Sequence, residues 1–82
     1  MKQENNMYLF VKKNDTECNL ASSLLDLKNW AYDICDIDND KFFVLVEKYG
    51  IGKVPTLIIA DNNGILDEAR GIDAISNFIN LS

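Results

Sequence analysis

Val54-Pro55-Thr56-Leu57-Ile58-Ile59-Ala60-Asp61-Asn62-Asn63-Gly64-Ile65-Leu66-Asp67-Glu68-Ala69 is the stretch on which the fold turns. Residues 56–60 form a continuous apolar run with two β-branched isoleucines, the pattern of a strand buried on both faces. Asp61, Asn62, Asn63 and Gly64 tolerate positive φ, so the chain is expected to turn tightly there and return as an antiparallel strand over residues 65–69. Pro55 opens the first of these strands, a position where its missing N–H costs little.

Upstream, residues 7–11 (Met-Tyr-Leu-Phe-Val) are a second wholly apolar run, bounded by Lys12-Lys13-Asn14-Asp15. Two all-apolar strands belong in the middle of a sheet. From Thr16 to Leu27 the residues Leu20, Ala21, Leu24, Leu25 and Leu27 recur at helical spacing, and Asn14 or Asp15 stands where an N-cap belongs. Residues 30–37 alternate large apolar residues with small or acidic ones, as an edge strand does, until the acidic cluster 36–40 breaks them. Residues 41–49 are apolar at Phe42, Leu45, Val46 and Tyr49 and precede Gly50, which predicts a helix with a left-handed cap. After the hairpin, Asp73 is the expected cap of a last helix bearing Ile75, Phe78 and Ile79.

The predicted order is β-α-β-α-β-β-α. Crossover connections make the first two strands parallel and the hairpin makes the last two antiparallel. The expected fold class is α/β, a mixed four-stranded sheet with the first and third strands central, the second and fourth at the edges, and helices on both faces. Residues 1–6 are polar and are expected to form a short disordered leader before a single domain over 7–82.

Composition narrows the function. Thirteen acidic against eight basic residues give a net charge of −5, and Lys12-Lys13 is the only adjacent basic pair, so no nucleic-acid partner is expected. The absence of histidine removes the commonest metal ligand and general base together, and two cysteines alone make no zinc set. No apolar run approaches the roughly 20 residues of a membrane helix, and the polar start lacks a secretory pattern. A cytoplasmic location with reduced thiols is the expectation. Asp33, Asp36, Asp38 and Asp40 lack the spacing of a calcium loop and read as a solvated acidic segment. Trp30 is expected to be a partly buried core residue at the start of the second strand, and Cys35 a structural residue within it.

Three segments, in this order and spacing, give the chain a resemblance to a known family: Phe10-Val11-Lys12-Lys13-Asn14-Asp15-Thr16-Glu17-Cys18-Asn19-Leu20-Ala21, then Val54-Pro55-Thr56-Leu57-Ile58-Ile59, then Arg70-Gly71-Ile72-Asp73. The chain resembles the glutaredoxins, the minimal form of the thioredoxin fold, over residues 7–81. In that family an aromatic ends the first strand, a lysine often follows two residues later, and a Cys-x-x-Cys begins five residues after the aromatic. Counted from Phe10, the resemblance puts Lys12 on the lysine, Asp15 on the first cysteine, Cys18 on the second and Ala21 on a small residue beyond it. Asp15 would share the stabilisation that a helix N-terminus gives a thiolate, but it cannot perform thiol–disulfide exchange. A register slid by three residues would instead make Cys18 the nucleophile of a one-cysteine motif.

The resemblance further implies a cis peptide bond at Val54–Pro55, facing the active-site loop, with Val54 pairing to an extended thiol peptide. It implies that Gly71 and Asp73 hold the γ-glutamyl end of glutathione while Lys12 faces the glycyl carboxylate. In the family the Arg70 position is a glycine. Three readings remain open. The chain is a degenerate module that keeps the groove (Lys12, Thr16, Val54, Pro55, Thr56, Gly71, Asp73) and binds a protein partner or glutathione. Alternatively it is a one-cysteine, glutathione-dependent oxidoreductase acting through Cys18, or a small scaffold subunit. No cofactor is required by the first reading, and a monomer or weak homo-oligomer is expected.

Overall fold

A computed structural model describes residues 5–81. Its elements follow the expected order: β1 (Asn6–Val11), α1 (Thr16–Leu27), β2 (Asp33–Asp36), a short 3-10 turn (Asp40–Phe42) leading into α2 (Phe43–Tyr49), β3 (Thr56–Asp61), β4 (Gly64–Arg70) and α3 (Ile72–Asn80). The sheet order is β2-β1-β3-β4, with β1 parallel to β2 and antiparallel to β3, and β4 antiparallel to β3. Of the polar leader expected over 1–6, residues 1–4 lie outside the described residues, while Asn6 already pairs with Ala60.

The two central strands are apolar over residues 7–11 and 57–60 because each feeds two cores. Leu9 and Leu57 point to one face, where α1 (Ala21, Leu25) and α3 (Ile75, Ile79) cover them. Phe10, Ile58 and Ala60 point to the other, where α2 and its Tyr49 close over Cys35. Each large side chain so buried contributes roughly 1.5–3 kcal/mol. The second face is aromatic: Tyr8, Phe10 and Tyr49 meet pairwise with ring centroids 6.1–6.4 Å apart.

Three elements depart from the sequence reading in detail. β2 is four residues long rather than eight, and Trp30 lies before it. Residues 30–32 serve the helix layer instead: Trp30 packs edge-on against Phe78 of α3, and the Tyr32 hydroxyl donates to Asp26 and accepts from Ser22 of α1, both at 2.8 Å. The helix expected over 41–49 starts as the 3-10 turn, whose cap is Asn39 through its side chain to the Lys41 amide. Gly50 does end it in the left-handed region, at φ 59°. Asp73 is in the first turn of α3 rather than at its cap, which is Gly71 at φ 95°. The Gly71 amide donates to the Pro55 carbonyl at 2.8 Å, so the strand-to-helix corner turns there, two residues earlier than the Asp73 side chain suggests.

Candidate functional site

The N-terminus of α1 is built by two local devices. Asn14 takes a positive φ of 61°, reversing the chain out of β1, and Asp15 then caps the helix with its Oδ1 accepting from the Cys18 amide at 3.0 Å. Asp15 therefore stands at the helix start with its carboxylate already engaged. Cys18, one turn on, is 2% exposed. Its Sγ accepts a hydrogen bond from the Lys12 amide at 3.4 Å. Burial pushes the Cys18 thiol above its ordinary pKa, against the Lys12 amide, and the nearby carboxylates of Asp15 and Glu17 push it the same way. A thiol at a helix N-terminus is usually activated; here two acidic neighbours and desolvation reverse that effect.

Cys35 is fully buried in β2, and burial with the Asp33 charge pushes its thiol up to about 11. Both cysteines are free.

The Val54–Pro55 peptide bond is cis. Pro55 and Thr56 are buried, and the Thr56 hydroxyl is spent on the Lys53 carbonyl at 2.8 Å, so Thr56 supports the loop from beneath. Val54, Gly71 and Asp73 come together around a cavity of about 350 Å³, joined by Glu17, Lys53 and Arg70. Lys12 is elsewhere. With Cys18, Asn19 and Ile34 it lines a second cavity of about 360 Å³, on the β2 side of the β1–α1 junction. The residues expected in one groove are thus divided between two concavities, and Thr16, exposed at the start of α1, lines neither.

Arg70 is the residue whose role sequence reasoning missed. Its guanidinium bonds Glu68 at 2.8 Å and the carbonyls of Tyr49 and Gly50, each at 2.9 Å. It ties β4 to the end of α2, where cations are favoured by the exposed carbonyls. Glu68 and Arg70, two apart on a strand, share a face and so hinted at their ion pair; the two carbonyls are 20 and 21 residues away and left no local signal. The basic groups bordering the 350 Å³ cavity are Lys53, whose Nζ lies 3.8 Å from where a Cβ on Gly71 would be, and an Arg70 already committed. Among the described residues no group of three metal-ligating side chains is assembled, and no helix is long and apolar enough to cross a membrane.

By sequence, no family model and no curated protein matches the chain. By structure it resembles thioredoxins. Thioredoxin-2 of the malaria parasite superposes with a TM-score of 0.74 at 22% identity, over 99% of this chain and 82% of that one. The germline-specific thioredoxin Deadhead of Drosophila melanogaster gives 0.74 at 20% identity, over 98% and 79%. A thioredoxin of Malassezia sympodialis gives 0.75 at 15%, over 96% and 75%. Identities this low speak to architecture alone, and together with the strand order and the helices on both faces they establish that the chain has a thioredoxin-like fold.

Proposed function

We propose that the chain is a redox-silent member of the glutaredoxin branch of this fold, a binding module that receives an extended protein segment between the N-terminus of α1 and the loop carrying Val54 and Pro55. The observation that carries this reading is the state of Cys18: 2% exposed, bonded to the Lys12 amide, its thiol held up by burial and by Asp15 and Glu17. A nucleophile needs the thiolate and access, and burial works against both at Cys18. Asp15 caps α1 where exchange chemistry would start, and a carboxylate cannot form a mixed disulfide. Glutathione, if it binds, does so without a covalent bond and weakly, near Lys53, Gly71 and Asp73. The working compartment is reducing, as in the cytoplasm, with both thiols free.

The second reading, a one-cysteine glutathione-dependent oxidoreductase, draws on the cavity beside Cys18. Glutathione-dependent reduction of a small mixed disulfide separates the two. The wild type and Cys18→Ser are expected to be equally inactive, and Asp15→Cys to gain activity. Wild-type turnover abolished by Cys18→Ser would establish the oxidoreductase instead, and a silent Asp15→Cys would remove the glutathione site.

A further inference from the structure

The outer edge of β2 offers an interaction surface on the far side of the sheet order from β3, which follows the Val54–Pro55 loop. Among the described residues β2 pairs with β1 alone, and Ile37 donates to the Val11 carbonyl at 3.0 Å. In a parallel ladder the main chain alternates between neighbours, so Asp33, Cys35 and Ile37 address β1 while Ile34 and Asp36 turn outward. The Asp36 carbonyl is taken by the Asn39 amide at 3.0 Å. That leaves the Ile34 N–H, the Ile34 C=O and the Asp36 N–H as an open row of two donors and one acceptor. The Ile34 side chain, half exposed, stands over that row. Asp33 and Asp36 flank it, Asp38 and Asp40 follow, and no ion pair among the described residues neutralises any of them, Lys13 included.

The opposite edge is managed differently. On β4 the ladder carries a register shift between Ile59 and Ala60, the Glu68 amide is taken by the Asp67 carboxylate at 2.8 Å, and Glu68 is paired with Arg70. Such irregularity and local capping blunt an edge. A second copy of this chain is a poor occupant for β2, because strands about 5 Å apart would bring the same carboxylates of both chains together.

We propose that β2 accepts an extended, basic segment of another protein as a fifth strand. The register fixes its pattern: an apolar residue against Ile34, and basic residues against Asp33 and Asp36, hence two basic residues three positions apart with an apolar residue between them. Main-chain bonds to Ile34 and Asp36 supply the docking and the carboxylates supply the choice of partner.

The test is an NMR titration of the full 82-residue chain with a synthetic peptide, Lys-Val-Val-Lys flanked by glycine and serine. The Ile34 and Asp36 amides should shift and exchange with solvent at least ~tenfold more slowly on saturation. Ile34→Pro, which removes an outward N–H without touching the β1 ladder, should weaken binding by about tenfold or more. Asp33→Asn with Asp36→Asn should weaken it by about tenfold and flatten its salt dependence, and a Glu-Val-Val-Glu peptide should not bind. Shifts mapping to Val54–Thr56 instead, equal binding of the glutamate peptide, or no saturable binding would overturn the proposal. The aspartate pair carries the test alone if Ile34→Pro does not fold.

Discussion

Cys18 and Cys35 are both buried, both free and both raised in pKa, yet they are buried by different means. Cys35 is sealed between the sheet and α2, and desolvation dominates its titration. Cys18 is at a helix start, bonded by a main-chain amide and bordering a cavity, and acidic neighbours reinforce its burial. The lesson is that a thiol at the favourable end of a helix is not activated by position alone; burial raises its pKa first, and the carboxylates around the cap reinforce it.

The largest effect expected from breaking this contrast is chemical. Asp15→Cys puts a thiol at the helix start and removes the carboxylate beside Cys18, and should raise disulfide-reducing turnover at least ~100-fold above the wild-type baseline. Turnover equal to that of the wild type would count against the proposed glutaredoxin-type site at the start of α1.

Next comes reactivity. With its thiol near 11 instead of 9.0, Cys35 holds about 100-fold less thiolate at neutral pH than an ordinary cysteine. Labelling with an aromatic disulfide, followed by mass spectrometry, should modify Cys18 first and Cys35 only on unfolding. The reverse order would show that α2 opens more readily than the α1 cap.

The raised Cys35 pKa also has a consequence for stability. Between pH 9 and 11 the unfolded chain has lost the Cys35 proton while the folded chain keeps it, so stability is full below about pH 9 and falls as pH rises toward 11. The loss attributable to Cys35 is about 2 kcal/mol. Urea unfolding at pH 8 and pH 11 should show it, and Cys35→Ala, though less stable throughout, should show a shallower decline. Equal declines would assign the pH dependence to other groups, Tyr8 among them, whose pKa burial also raises.

The smallest effect lies at the cap. Asp15→Ala should cost about 1 kcal/mol by freeing the Cys18 amide. Asp15→Asn should cost less and lower the Cys18 pKa, because it keeps an acceptor and removes the charge. An unchanged Cys18 titration would assign its shift to burial alone.

The architecture was legible because its signals are local. Two all-apolar runs, a turn-forming Asp61-Asn62-Asn63-Gly64, a capping Asp15 and a C-capping Gly50 each act within a few residues, and each does so in the structure. Residues 30–32 misled because alternation marks which side chains are large, and cannot tell whether Trp30 and Tyr32 pair in a sheet or reach to α3 and α1. Asp73 misled for a related reason: the earlier turn at Gly71 is fixed by its amide's bond to Pro55, across 16 residues.

By itself, then, the sequence determined the order of elements, the two central strands and an acidic residue at the start of α1, since pattern and capping chemistry are short-range. Tertiary structure alone decided three things: that Lys12 joins Cys18 in one cavity while Val54, Gly71 and Asp73 line another, that Arg70 is spent on the end of α2, and that Ile34 and Asp36 face outward. Each depends on which strands become neighbours, and that is settled by packing two cores at once.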